Sequence, residues 1–291
     1  IEPRAGLKYQ VGNNHTFSLG YGLHHQQISL PILFLNELVD GELVQTNRDL
    51  DFVRSAHYVL GYDVNLSSKF RVKAEVYYQN ISNAGVEAFP SSYSTLTEGA
   101  DFSFDNDRVS LVNDGTGFNQ GVELTLEKFF SDGYYGLLTA SVFESKYKGS
   151  DNIERNSPFN NRYVTNLLAG REFKTGKNGQ NVFSLDTRLS IAGGRYYTPV
   201  DLEASQKAGY EVLREEQAYS QQYDGYFRWD LKLGYKVNVV HKKQSHHFYV
   251  DFQNLTNREN IFARRYNRVT NEINQVNQNG FFPDIGYRFQ F

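Results

Sequence analysis

The sequence predicts an all-β fold, an antiparallel transmembrane β-barrel, and three observations predict it. The chain ends in Tyr287-Arg-Phe-Gln-Phe291, where aromatic rings alternate with polar side chains up to the last residue. Similar alternating segments recur along nearly the whole length. A strand that shows one face to lipid and the other to a wet lumen changes polarity at every residue in this way. Composition agrees: 21 Tyr and 22 Phe beside a single Trp suit strands and interfacial aromatic girdles better than helices.

The strands come in pairs joined by short polar turns, and long irregular stretches separate the pairs. In the first pair Pro3, Ala5, Leu7, Tyr9 and Val11 alternate with Arg4, Gly6, Lys8 and Gln10; Gly12-Asn13-Asn14 then turns the chain into Phe17, Leu19, Tyr21 and Leu23. After a long segment from His25 to Asp51, the second pair spans 52–64 and 70–81, with Asn65 to Lys69 as its turn. A further excursion reaches Gly117. The third pair, 118–130 and 134–147, turns on Ser131-Asp132-Gly133, with Val122, Leu124 and Leu126 set against Glu123, Thr125 and Glu127. Segments 162–173 and 181–191 flank the turn 174–180, and 226–240 and 246–255 flank 241–245. In the clearest strand Phe227, Trp229, Leu231, Leu233 and Tyr235 face away from Arg228, Asp230, Lys232 and Lys236, a charged side that a lumen solvates and a sandwich core does not. A last strand covers 281–291, which makes about eleven, with no helical periodicity between them.

No apolar run approaches the roughly 18 residues of a spanning helix, and the mean hydropathy is negative. Barrel strands need only about 9–11 residues, half of them polar, so they escape such averages. A net charge of −3 gives no basic field for nucleic acid, and the absence of Cys removes thiol nucleophiles and Cys-based zinc sites. With short turns at one end and long loops at the other, the turns belong on the periplasmic side, and Phe291 with them. The chain begins at Ile1 without Met or a signal-like segment, and bacterial single-chain barrels have even strand numbers. It therefore reads as part of a longer protein, although a mature chain with its signal removed also begins in this way.

Several segments, in order, resemble the C-terminal barrel region of TonB-dependent outer-membrane receptors, particularly those with a carboxypeptidase-regulatory-like N-terminal domain. They are Glu2 to Tyr9, Gly121 to Lys128, Asn156 to Val164, Ala192 to Tyr196, Asp251 to Asn257 and Gly280 to Pro283. The resemblance implies that residues 1–291 form the C-terminal part of a single barrel domain of twenty-two strands, with the plug and TonB-contact segment N-terminal to it. It implies uptake of an extracellular ligand across the outer membrane of a Gram-negative bacterium, driven through TonB, with no enzymatic step and no cofactor. Two other readings stay open: a passive channel or surface-binding barrel, and a soluble secreted all-β enzyme or lectin. The expected partners are outer-membrane lipid, the TonB complex, the barrel assembly machinery and, as a candidate, a surface lipoprotein; nucleic acid is not among them.

The ligand is expected among the loops, where Arg195, Tyr196, Tyr197, Tyr219 and Tyr223 offer a cation and rigid amphipathic rings. Girdle anchoring is the bland reading of such tyrosines. Glu123, Glu127, Arg228, Asp230 and Lys232 are expected to line the lumen. Glu123 and Glu127 stand about 13 Å apart on one strand face, too far for a glycosidase pair. Tyr287, Phe289 and Phe291 look like the signal read by the assembly machinery, or simply a lipid-facing last strand. His24-His25 is a poor metal pair, because adjacent strand residues point to opposite faces. The glycines of 176–179 and 192–194 lack the strand-to-helix setting of a phosphate loop. The apolar run Ser29 to Leu35 is either an interface or a self-packed loop.

Overall fold

The alternating segments form one antiparallel sheet in the computed structural model, which describes residues 1–98 and 108–291. Its eleven consecutive strands are β1 (Arg4–Val11), β2 (His15–Gln26), β3 (Val53–Asn65), β4 (Phe70–Glu87), β5 (Leu111–Ser131), β6 (Tyr134–Lys148), β7 (Tyr163–Thr175), β8 (Asn181–Ala192), β9 (Tyr226–Val239), β10 (Gln244–Gln253) and β11 (Phe282–Gln290). Each pairs with the next in sequence, the up-and-down order that short hairpins dictate. Between β5 and β6 the two-residue loop Asp132-Gly133 has φ of 56° and 80°, the double left-handed turn whose twist matches the flanking strands. Among the described residues no helix is long and apolar enough to cross a membrane.

Register sorts the side chains onto two faces. On the outer one, Leu126, Leu138, Leu167, Leu189 and Trp229 lie directly opposite one another across β5 to β9. Nearer the short turns, Phe173, Phe183, Tyr235, Phe248 and Tyr287 form a second row across β7 to β11. Other residues of this face stay open to their surroundings: Val142 is 67% exposed and Ile285 78%. The other face pairs Asp63 with Lys73, Arg71 with Glu127, and Asp186 with Lys232. An apolar face left bare across the whole sheet, backed by a charged one, fits hydrocarbon on one side and water on the other.

Three differences from the sequence reading have local causes. β4 runs on to Glu87 and β5 starts at Leu111, so this pair stands about six residues taller than expected. The register shifts near Asn83, whose φ is 60°, so the ladder continues past residues that read as a turn. Two short helices, Leu30–Leu33 and Leu202–Ala208, occur where none was expected, and the second is capped at both ends: the Asp201 carboxylate accepts from Ala204 N at 2.9 Å, and Gly209 takes φ of 75°. The long connections also hold hairpins of their own, at 37–44, 196–222 and 261–277. The buried apolar cluster joins Ile28, Ile32 and Leu33 of the first long connection to Leu111 at the loop-side end of β5, not to the middle of the sheet.

Candidate functional site

Five long connections leave one end of the sheet, their described residues being 27–52, 88–98 with 108–110, 149–162, 193–225 and 254–281. The first is ordered by its own apolar residues: Ile32 and Leu33 turn into the cluster with Leu111, flanked by Leu50, Val53 and Tyr93. Buried Asn47 pins it, donating to Ile32 O and Arg108 O at 3.1 and 2.8 Å and accepting from Leu111 N at 2.9 Å. Self-packing thus accounts for Ile32 and Leu33 of the run Ser29 to Leu35, while Leu30 and Phe34 remain exposed.

The connections hold one another. Ser92 Oγ donates to Glu215 Oε2 at 3.0 Å, Ser150 Oγ to Phe89 O at 2.6 Å, and Arg265 Nη1 to Glu211 Oε1 at 2.8 Å. Within 149–162 the Arg155 guanidinium grips Asp151 twice, at 2.8 and 2.6 Å, and holds that carboxyl below the usual carboxylate range. Loops tied to this degree can present side chains in fixed geometry.

One such arrangement stands between the last two connections. A Cβ at Gly193 would sit 1.8 Å from Asn161 O, and one at Gly194 1.7 Å from Tyr223 O, so only glycines let these backbones approach. The approach brings Tyr197 against Tyr223 with ring centroids 4.0 Å apart and planes 6° from parallel. Arg264 clamps the pair: its Nη1 donates to the Tyr197 hydroxyl at 3.0 Å and its backbone N–H to the Tyr223 hydroxyl at 3.1 Å. Beside them Arg195 Nη2 donates to Phe262 O at 2.6 Å, with its guanidinium 5.6 Å from the Phe262 ring centre. Two parallel rings beside two guanidiniums suit a flat or ring-bearing ligand with negative charge.

Of the five loop residues singled out in the sequence, Arg195, Tyr197 and Tyr223 come together. Tyr196 alternates inward and is buried, with the Arg162 guanidinium 5.7 Å from its ring centre. Tyr219 stands apart, edge-on to buried Tyr147 at 5.9 Å. Sequence reasoning missed Phe262 and Arg264; their signal was the alternating stretch Ile261–Asn267, a strand pattern inside a supposed loop.

Below this mouth lies the polar face. Glu123 and Glu127 stand on it opposite Glu75 and Arg71. Asp230, buried on this face, accepts from Arg228 Nε at 2.7 Å, Arg188 Nε at 3.0 Å and Asn254 N at 2.8 Å, and Lys232 lies 4.0 Å from the Tyr249 ring centre. Asp186, Arg188, Asp230, Lys232 and Asp251 line a recess of about 420 Å³. Among the described residues no three His, Cys, Asp or Glu gather as a metal site. His24 faces His57 edge-on at 5.1 Å, whereas His25 turns to Glu2 at 3.7 Å. At the other end Tyr287, Phe289 and Phe291 are exposed on or just beyond β11.

The geometry has close counterparts. A family model described as TonB dependent receptor-like, beta-barrel, matches residues 2–257. Among solved structures, the ferric preacinetobactin receptor BauA of Acinetobacter baumannii superposes with a TM-score of 0.63 at 13% identity, covering 100% of this chain and 36% of its own. The ferric yersiniabactin uptake receptor FyuA of Yersinia pestis gives 0.61 at 14% identity, covering 99% and 36%, and the FrpB iron transporter of Neisseria meningitidis 0.62 at 14%, covering 98% and 38%. The chain thus spans little more than a third of these structures. A search of curated proteins gives no match.

Proposed function

Because this chain belongs to the TonB-dependent receptor β-barrel family, an outer-membrane family, we propose that residues 1–291 form the C-terminal part of one barrel domain in a receptor that binds an extracellular ligand and imports it. The observation that carries this reading is the ring-and-guanidinium cluster of Arg195, Tyr197, Tyr223 and Arg264, fixed at the mouth of a wall that is charged within and apolar without. The cluster recognises a ring-bearing anionic ligand, and ferric chelates, named for the neighbouring structures, are the first class to test. Energy comes through TonB, as elsewhere in the family. Glu123, Glu127, Arg228, Asp230 and Lys232 line the path below the cluster. Tyr287, Phe289 and Phe291, outward and exposed, are what the assembly machinery reads, and the exposed Leu30, Phe34, Leu38 and Leu43 are where a surface lipoprotein would dock.

The test is uptake of labelled ferric chelates by cells that rely on this receptor. The Tyr197→Ala/Tyr223→Ala pair and Arg264→Gln should each weaken binding about tenfold, by loss of the stacking platform or of its clamp. Uptake should stop when an uncoupler collapses the proton gradient. Transport that survives the uncoupler means a passive channel; unaltered binding in both variants means that the ligand sits elsewhere.

A further inference from the structure

The outer face has a gap at one level. Gly136, Ala169 and Thr187 lie opposite one another across β6, β7 and β8, three small residues in a row otherwise made of large ones. Tyr134, Arg171 and Leu185 form the row on the turn side, and Leu138, Leu167 and Leu189 the row on the loop side. The missing volume is a groove of about 540 Å³, lined by Tyr134, Leu185, Trp229 and Leu231 over Ala169 and Thr187.

Arg171 stands at the turn-side end of this groove. Its guanidinium folds toward the periplasmic interface, 4.9 Å from the ring centre of Phe173, the first member of the outward aromatic row. It makes no hydrogen bond or ion pair among the described residues. Asp132, which also lines the groove, is held by Lys69 Nζ at 2.7 Å. Lys128, another outward cation near this level, gives its protons to Phe129 O, Ser131 O, Ser131 Oγ and Tyr134 O. An arginine on a lipid-facing wall is costly unless it reaches polar headgroups. Its planar fork of donors matches a phosphate.

We propose that this groove binds an anionic glycerophospholipid of the periplasmic leaflet, with the phosphate on Arg171 and an acyl chain along Ala169, Thr187 and Leu231. Position, charge and shape point to the same occupant: the groove opens to hydrocarbon, its cation lies at headgroup depth, and beyond Asp132 and Arg171 its lining is mainly apolar and extends across four strands, β6 to β9. A free phosphate ion would satisfy Arg171 alone and leave the groove unused.

Native mass spectrometry of the complete receptor, titrated with phosphatidylglycerol, tests the site. Arg171→Gln should weaken binding of the tightest lipid about tenfold, the effect of losing one charge-assisted pair, and Arg171→Lys, which keeps the charge without the fork, should restore only part of it. Ala169→Leu, which fills the row and keeps the cation, should also weaken it. Wild-type lipid binding in Arg171→Gln overturns the proposal, as does competition by inorganic phosphate at concentrations that leave no role for the chain. If Arg171→Gln fails to fold, Ala169→Leu decides the matter, because unaltered binding there removes the groove from the account.

Discussion

Asp230 shows how much one side chain can organise in this wall. It is 6% exposed, and its carboxylate gathers the guanidinium of Arg188 from the neighbouring strand, that of Arg228 from its own strand, and the backbone N–H of Asn254. A charge this enclosed persists only because every bond it accepts is charge-assisted or from the backbone. The last of these bonds fixes the start of the 254–281 connection, which carries Phe262 and Arg264. Asp230→Asn keeps the shape but removes the charge, and it should cost about 2 kcal/mol, less than for a dry pair because Arg188 is half exposed. The unfolding midpoint of the receptor in urea and detergent, followed by its heat-modifiable gel band, measures this. Proteolysis within 254–281 should rise in parallel, and a variant as stable as wild type removes Asp230 from its organising role.

The loops depend on pairs of this kind more than on an apolar core, and one pair carries a pH signature. Asp151 in the 149–162 connection has its carboxyl pKa lowered by the Arg155 bonds, so the stabilisation it gives is complete above the usual carboxylate value and fades as pH falls through the depressed one. The loop should therefore loosen below about pH 4. A spin label at Asn152→Cys, in a chain without cysteines, should stay rigid at pH 5 and gain mobility only below about pH 4, whereas with Asp151→Asn it should be mobile already at pH 5. A label equally rigid in both forms would contradict the assignment. The contrast between loops and strands also marks what the sequence shows. All eleven strands were legible, since side-chain alternation follows from the pleat itself, as in Phe227 to Tyr235. The upper ends of β4 and β5 were not, because Ser82-Asn83 and Asp114-Gly115 look like turns and the bulge there is a tertiary accommodation. The helix Leu202–Ala208 was within reach of a capping argument, from Asp201 through Gly209. Of the site, single residues such as Arg195 and Tyr197 were legible, but their companions were not. Arg195 meets Phe262 across 67 positions, and no periodicity announces a contact between two loops.

Two adjacent positions on β5 decide what surrounds the barrel wall. Leu124 points outward between Ala74 and Ala140, while Thr125 points inward between Lys73 and Thr139. Both lie about 15 Å from the periplasmic turn once strand tilt is allowed for, near the middle of a bilayer. If the outer face meets hydrocarbon, Leu124→Arg should cost about 2–4 kcal/mol, the penalty of a cation at that depth. Thr125→Arg meets a hydrated, charged face that already holds Asp63, Arg71 and Glu75, and it should cost under about 1 kcal/mol. A water-soluble sheet with the same strands predicts the opposite ranking at Leu124, where arginine would merely replace an exposed apolar side chain and improve solubility. Size, charge and strand are the same in the two variants, so their difference isolates the solvent on each side. The reading requires Leu124→Arg to unfold at the lower urea concentration by a margin matching that difference; equal midpoints would place water on both faces and remove the membrane from the structure.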